Sequence, residues 1–245
     1  MDCDFDDGFA GSAALGLIVL RTDETLEVEL RDVFSAAGTA CYHARIPSHA
    51  LVTPETLAQM EADLPATAAL LPEGTPFGAI GYACTSGATV IGPETIARII
   101  KTSHPDTEVT DPITAVMAAL SALKTRRIGL LTPYLPEVTE KMQGLLQKNG
   151  FEIAKVGAFG QAEDRLIARI TPASTLSAIE QIGRDPDCDA VFASCTNLRS
   201  FSILAEAEAR IGKPVITSNQ ALGWHMLRLA GIPALGLGPG RLFQI

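Results

Sequence analysis

No apolar run in this chain of 245 residues reaches the roughly 18 residues that a membrane-spanning helix needs. The opening stretch, MDCDFDDG, is acidic where a secretory leader would be basic, so the expectation is a cytoplasmic protein with no membrane partner. Clustered Lys and Arg are missing too. With 19 basic against 28 acidic side chains the formal net charge is −9, which argues against a nucleic-acid partner but leaves a small anionic substrate open. The five cysteines have no tight spacing, so no disulfide framework is expected. The four histidines, His43, His49, His104 and His225, lack the spacing of a metal site, so no metal is inferred. Neither a GxGxxG nor a Walker loop occurs, so no nucleotide and no other cofactor is expected. Acid–base work would fall on side chains alone.

What the chain does have is 47% hydrophobic and 19% charged residues, the composition of a globular protein with ample core. After an acidic tail over 1–13, expected to be flexible, strand-like and helix-like stretches alternate. Strands are read at 14–20, 39–46, 77–83, 127–133, 152–159, 189–194 and 214–217. Helices are read at 23–37 (capped by Asp23), 53–71 (entered through Pro54), 92–102, 114–124, 136–149, 172–183, 199–211 and 219–230. The alternation predicts an α/β fold of parallel sheets flanked by helices. The two halves repeat in register: LGLIVLRTDETLE (15–27) matches IGLLTPYLPEVTE (128–140), and AIGYACT (79–85) matches AVFASCT (190–196). Two similar lobes about a pseudo-two-fold axis follow, 14–113 and 114–232, with the site between them. Exchange of a strand or helix between lobes is allowed for, and 233–245 is read as a C-terminal tail.

The repeat places one cysteine in the same setting in each half, Cys84 and Cys195, each after a strand-like run, followed by Thr (Thr85, Thr196), and before a helix-like stretch. Open α/β sheets bind ligands at the carboxyl ends of their strands, so both sulfurs are expected at the mouth of a sheet. A lone cysteine after a strand is ordinarily a core thiol. Two in matching settings point instead to a thiol on either side of a small substrate, with helix N-termini favouring a thiolate. Cys3, Cys41 and Cys188 lack that setting and are read as structural. The other strand-end loops supply further candidates: Thr22 and Asp23, Ser86, Tyr134 as a donor to a carboxylate or as packing, Asn197 as an oxyanion donor or a cap, and Asp164 in a polar loop.

The paired loops ACTSG and SCTNLRS, with RTDETLE after the first strand and TPY after the strand opening the second half, resemble the aspartate/glutamate racemase superfamily. Within it they resemble the maleate isomerase and arylmalonate decarboxylase branch, and RTDETLE is similar to ectoine-utilisation proteins of the EutA type. The resemblance implies a cofactor-independent isomerase holding a small carboxylate or amino-acid derivative between Cys84 and Cys195. In the racemases one thiolate takes the α-proton while the opposite thiol returns one. In maleate isomerase the first-half cysteine attacks the double bond. The decarboxylases keep only the second-half cysteine, whereas this chain has both. Maleate isomerases carry Asn at the position of Asp23, and an anionic Asp there suits a substrate amine better than a second carboxylate. The family also implies a possible homo-oligomer. The expected function is therefore a two-cysteine racemase or isomerase, with a place in ectoine catabolism among its possibilities. A maleate-type cis–trans isomerase working through a covalent adduct, and a non-catalytic small-molecule binding protein, are the alternatives.

Overall fold

A computed structural model describes residues 1–6, 8 and 13–245. The tail expected over 1–13 lies partly outside these described residues, and residues 1–6 are exposed. Two four-stranded parallel sheets form the framework, with strand orders β2-β1-β3-β4 and β6-β5-β7-β8. The first comprises β1 (Ala14–Leu20), β2 (Ala40–Ile46), β3 (Phe77–Ala83) and β4 (Glu108–Thr110); the second comprises β5 (Arg127–Thr132), β6 (Glu152–Ala158), β7 (Ala190–Ala193) and β8 (Val215–Thr217). Both sheets have the same order, as the internal repeat requires. Central strands are covered on both faces, so they read as unbroken apolar runs; all seven residues of β1 are buried. Each Leu, Ile or Val buried there contributes about 1.5–3 kcal/mol relative to exposure. Outer strands β2 and β6 keep solvent-facing residues such as His43, Glu152 and Val156.

The helices are α1 (Leu26–Ala36), α2 (Pro54–Ala68), α3 (Thr85–Ile91), α4 (Pro93–Ile100), α5 (Pro112–Ala122), α6 (Pro136–Lys148), α7 (Asp164–Ile167), α8 (Pro172–Gly183), α9 (Leu204–Ile211) and α10 (Ser218–Leu229). None is long and apolar enough to cross a membrane. A backbone φ of +95° at Gly92, followed by Pro93, separates α3 from α4. Helix α10 follows the last strand of the second sheet yet packs on the first. A Cβ added to Gly81 of β3 would lie 2.8 Å from Met226 Sδ, and His225 Nδ1 is 2.8 Å from Thr110 Oγ1.

Four sequence expectations change. Strand β4 lies in a stretch read as connection, pairing only with β3. Asp23 does not occupy the N-cap of α1, which begins three residues later with Thr25 at that position. Asp23 Oδ1 instead accepts the Thr25 and Leu26 N–H groups at 2.8 and 2.9 Å. The stretch read as a helix from 199 starts as a 3₁₀ turn at Phe201–Ile203 before α9. The ordered core also continues beyond residue 230: Leu242 and Phe243 are fully buried, and Gly236 N donates to Phe243 O.

Candidate active site

In each sheet the chain leaves the first strand toward one edge and later returns to the other side. The switch points therefore lie between β1 and β3 and between β5 and β7, where ligands bind open α/β sheets. Four loops open there: 21–25 after β1, Cys84 after β3, 133–135 after β5 and 194–200 after β7. The loops after β2 and β6 close over them. Leu51 bridges to Glu163 in antiparallel fashion, Val52 N donates to Ala162 O at 2.8 Å, and Asp164 N donates to Ala50 O at 3.0 Å. The narrow cavity between these loops is lined by Cys84, Thr85, Ser86, Tyr134, Asp164, Cys195 and Thr196 among others.

Cys84 is the N-cap of α3, and its Sγ accepts from Gly87 N at 3.2 Å with Ser86 Oγ at 3.6 Å. Cys195 is held differently, contrary to the sequence reading of matched settings. No helix starts behind it; the chain turns through 196–198 instead, and Cys195 itself has a φ of +114°, a strained conformation for a residue with a Cβ. Its Sγ accepts from Asn197 N at 3.4 Å. Both thiols are free.

The expectation of a helix-stabilised thiolate is corrected as well. Burial pushes the Cys84 thiol up to about 12, and only partly do Ser86 and Gly87 N–H oppose it. Burial, then the charge of Asp164, pushes Cys195 well above the usual thiol range. Burial thus disfavours the thiolate at both positions. Tyr134 is buried beside Cys195 and Ser86, and burial pushes its phenol well up, so it stands as a donor.

The remaining expected residues are spread over the cavity wall and the layer behind it. Asp164 is not in an open loop: it begins α7, is only 5% exposed, and its Oδ2 accepts from Thr22 Oγ1 at 2.5 Å. Burial raises its carboxyl, with Asp23 adding to the effect. Thr22 also meets Ser48 Oγ at 3.1 Å. Asn197 has its amide fully engaged, so it ties loops together rather than offering an oxyanion donor. Oδ1 accepts from Glu24 N at 2.9 Å, and Nδ2 donates to the carbonyls of Thr22 and Asp164. Thr196 Oγ1 points to Ala83 O at 3.5 Å.

The sequence reading missed the residues that join the two cysteine loops. Ser218 Oγ, at the start of α10, accepts from Cys195 N at 3.0 Å and from Thr85 Oγ1 at 2.8 Å. Asn219 Nδ2 donates to Thr196 O at 2.8 Å and to Glu29 Oε2 at 2.7 Å. The signal was there: Ser218-Asn219-Gln220 opens a helix directly after a strand, as the cysteine loops follow theirs. Ser48 and His49, also on the wall, follow β2 in the same way. Among the described residues no group of three or more His, Cys, Asp or Glu is arranged to hold a metal.

This arrangement can hold a small acid with hydroxyl donors on one side and a thiol from each half of the chain. Comparison with known proteins agrees with it. The arylmalonate decarboxylase family model matches residues 93–243. A maleate isomerase of Nocardia farcinica is 26% identical over 244 residues, covering 96% of each chain. The arylmalonate decarboxylase of Bordetella bronchiseptica is 31% identical over 160 residues, 64% of this chain and 65% of the relative. The crystal structure of a cysteine-to-alanine variant of the maleate isomerase Iso from Pseudomonas putida S16, with maleate, superposes with a TM-score of 0.85 at 23% identity. It covers 94% of this chain and 97% of that one, a likeness of fold. The chain belongs to the arylmalonate decarboxylase family, within the maleate isomerase and arylmalonate decarboxylase branch of the aspartate/glutamate racemase superfamily.

Proposed function

We propose that the protein is a cofactor-independent isomerase of the racemase type, moving a proton to and from the carbon beside the carboxylate of a small acid. Cys84 and Cys195 serve as the two acid–base groups. The observation that carries this reading is that one thiol from each half of the chain lines a single cavity, beside Thr85, Ser86 and Tyr134. Such a carbon acid is very weak, so its ionisation needs both a base close by and donors for the enediolate that forms. The Ser86 and Tyr134 hydroxyls supply donors, and Thr85, tied to Ser218, fixes the rim. A thiolate at Cys84 takes the α-proton, the electron pair moves into the enediolate, and the Cys195 thiol delivers its own proton to the opposite face. The proton gained by one sulfur equals the proton lost by the other. Because the pair needs one thiolate and one thiol at once, it titrates as a coupled unit.

Retention of a first-half cysteine distinguishes the chain from the decarboxylase pattern. The likeness of RTDETLE to ectoine-utilisation proteins puts acetylated diaminobutyrates among the acids worth testing. The experiment is α-proton exchange in D₂O, followed by NMR, for wild type, Cys84→Ser and Cys195→Ser, with amino acids, acetylated diaminobutyrates, maleate and arylmalonate. Deuterium at Cα in wild type, lost or one-sided in each variant, is the expected result. Conversion of maleate to fumarate without exchange assigns the covalent cis–trans reaction instead. No turnover with any of them leaves a binding protein.

A further inference from the structure

Neither Lys nor Arg is among the residues that line the cavity, whereas Asp164 is. The chain as a whole carries a net charge of −9, so a small acid approaches against the overall field. Both sulfurs, Ser86, Tyr134 and Asp164 are buried. Of the residues on the cavity wall only His49 and Leu51 are exposed, which places the way in beside them.

A second cleft begins at the same place. Ser48, His49, Thr56 and Met60 form part of its wall as well as the cavity's, and Arg21 and Asp63 lie in it. Arg21 is the first residue after β1 and is exposed, and its Nη2 donates to Ser48 O at 2.7 Å. That bond tethers the side chain to the wall shared by cleft and cavity. The guanidinium joins no ion pair among the described residues. A guanidinium has several N–H donors in a fixed fork, so a single tether leaves donors for a carboxylate. Arg45 differs, being committed to the Leu20 and Asp23 carbonyls and to Glu27. The ring of His49 is oriented as well. Its Nδ1 accepts from Leu51 N at 3.1 Å, which makes Nε2 the ring's donor. Asp63 has the opposite charge, but its side chain makes no hydrogen bond to the shared wall.

We propose that Arg21, with Nε2 of His49, receives the carboxylate of the incoming acid at the mouth and passes it to the Ser86 and Tyr134 hydroxyls inside. This entrance selects for negative charge and sets the rate of arrival, and it takes no part in the proton transfer. An arginine inside the cavity would bind the substrate and product of an isomerisation alike, adding affinity without rate. Outside, the same charge speeds encounter. The proposal takes from the reading above only that the ligand is a small acid.

The test uses alkylation as a measure of entry and needs no turnover. Iodoacetate and iodoacetamide are nearly equal in size and differ in charge, so the ratio of their rates at Cys84 reports how the mouth treats a carboxylate. Cys3, exposed in the same chain, is the internal reference. Labelling is followed by mass spectrometry on wild type, Arg21→Gln, Arg21→Lys and His49→Ala. In Arg21→Gln the iodoacetate-to-iodoacetamide ratio at Cys84 should fall about fivefold, the factor for one unit charge at contact in a water-like setting. The ratio at Cys3 should not move. Arg21→Lys should keep most of the wild-type ratio, and His49→Ala should lower it about twofold. Sodium chloride at about 1 M should bring wild type close to Arg21→Gln. If Arg21→Gln merely frees the loop after β2, both reagents speed up alike and the ratio is unchanged. An unchanged ratio therefore overturns the proposal, as does iodoacetate that labels Cys3 but never Cys84. The exchange experiment is separate. A ratio that follows Arg21 without Cα exchange keeps the entrance and removes the two-base mechanism, and Cα exchange with an unchanged ratio does the reverse.

Discussion

Replacing Glu29 by Ala should loosen the loop that carries Cys195. The Glu29 carboxylate accepts from Ser200 N at 2.6 Å, Phe201 N at 2.9 Å and Asn219 Nδ2 at 2.7 Å, and Ser200 Oγ lies at 3.4 Å. Hydrogen bonds to a charged group are each worth about 1.5–3 kcal/mol in net stability. Glu29 is half-buried, so water refills part of the gap. Halving the sum of the three short bonds gives a loss of about 2–4 kcal/mol. For a chain of this length that lowers the melting temperature by about 5–15 °C. Asn219 also holds the Thr196 carbonyl, so the same change releases the backbone next to Cys195. Turnover should therefore fall about tenfold or more with KM little changed, the signature of misplaced reacting groups. Glu29→Gln, which keeps one acceptor oxygen, should recover about half of the stability. Thermal melts followed by circular dichroism, with exchange kinetics on the same samples, provide the assay. A melting temperature within about 2 °C of wild type, with unchanged kcat, would refute the clamp.

Three further outcomes follow from the site. Cys195→Gly should be more stable than Cys195→Ala by about 1 kcal/mol, and so melt about 2–4 °C higher, because only glycine accepts a φ of +114° without strain; equal melting curves contradict this. At pH 8 with no added substrate, iodoacetamide should label exposed Cys3 much faster than Cys84, whose thiol is buried and pushed up to about 12. Mass spectrometry reads the sites, and equal rates refute the burial argument. Burial holds the Asp23 carboxyl above its ordinary 3.8, so the folded chain keeps this proton longer than the unfolded chain does. Its stabilising contribution is complete below about pH 4 and lost as pH rises through the folded value. The urea stability of Asp23→Asn relative to wild type should therefore grow as pH rises above about 4; a difference that shrinks instead means the carboxyl is not raised.

Much of the framework was legible because buried parallel strands are unbroken apolar runs. The run at 77–83 coincides with β3, and that at 14–20 with β1. The strand ends then located the loops, since a polar residue after such a run falls at the carboxyl edge of a sheet. What stayed hidden depended on elements too short to show a period, on single torsions, or on burial. Strand β4 has three residues and helix α7 four, too few for any repeat. The difference between the cysteines lies in one φ angle that AVFASCT does not encode against AIGYACT. The raised thiols could not be read from a helix N-terminus, because desolvation by burial outweighs the Gly87 amide and the Ser86 hydroxyl that face Cys84. Ser218 joins residues 133 and 23 positions away, which only the assembled fold brings together.

The crossing of α10 onto the first sheet also sets the order in which this protein can be completed as it is synthesised. Strands β1 to β4 are all made well before the ribosome reaches residue 218, but the face around Gly78 and Gly81 is covered by Leu222, Met226 and Ala230. The leading half therefore waits, with an apolar face unfilled, for nearly the last helix of the chain, a period when nascent chains are open to misassembly and chaperone capture. That same helix begins with the serine that couples Thr85 to Cys195. Covering the first sheet and joining the two thiol loops are consequently one event, so a chain whose leading half is still open has no assembled site with which to act on a metabolite.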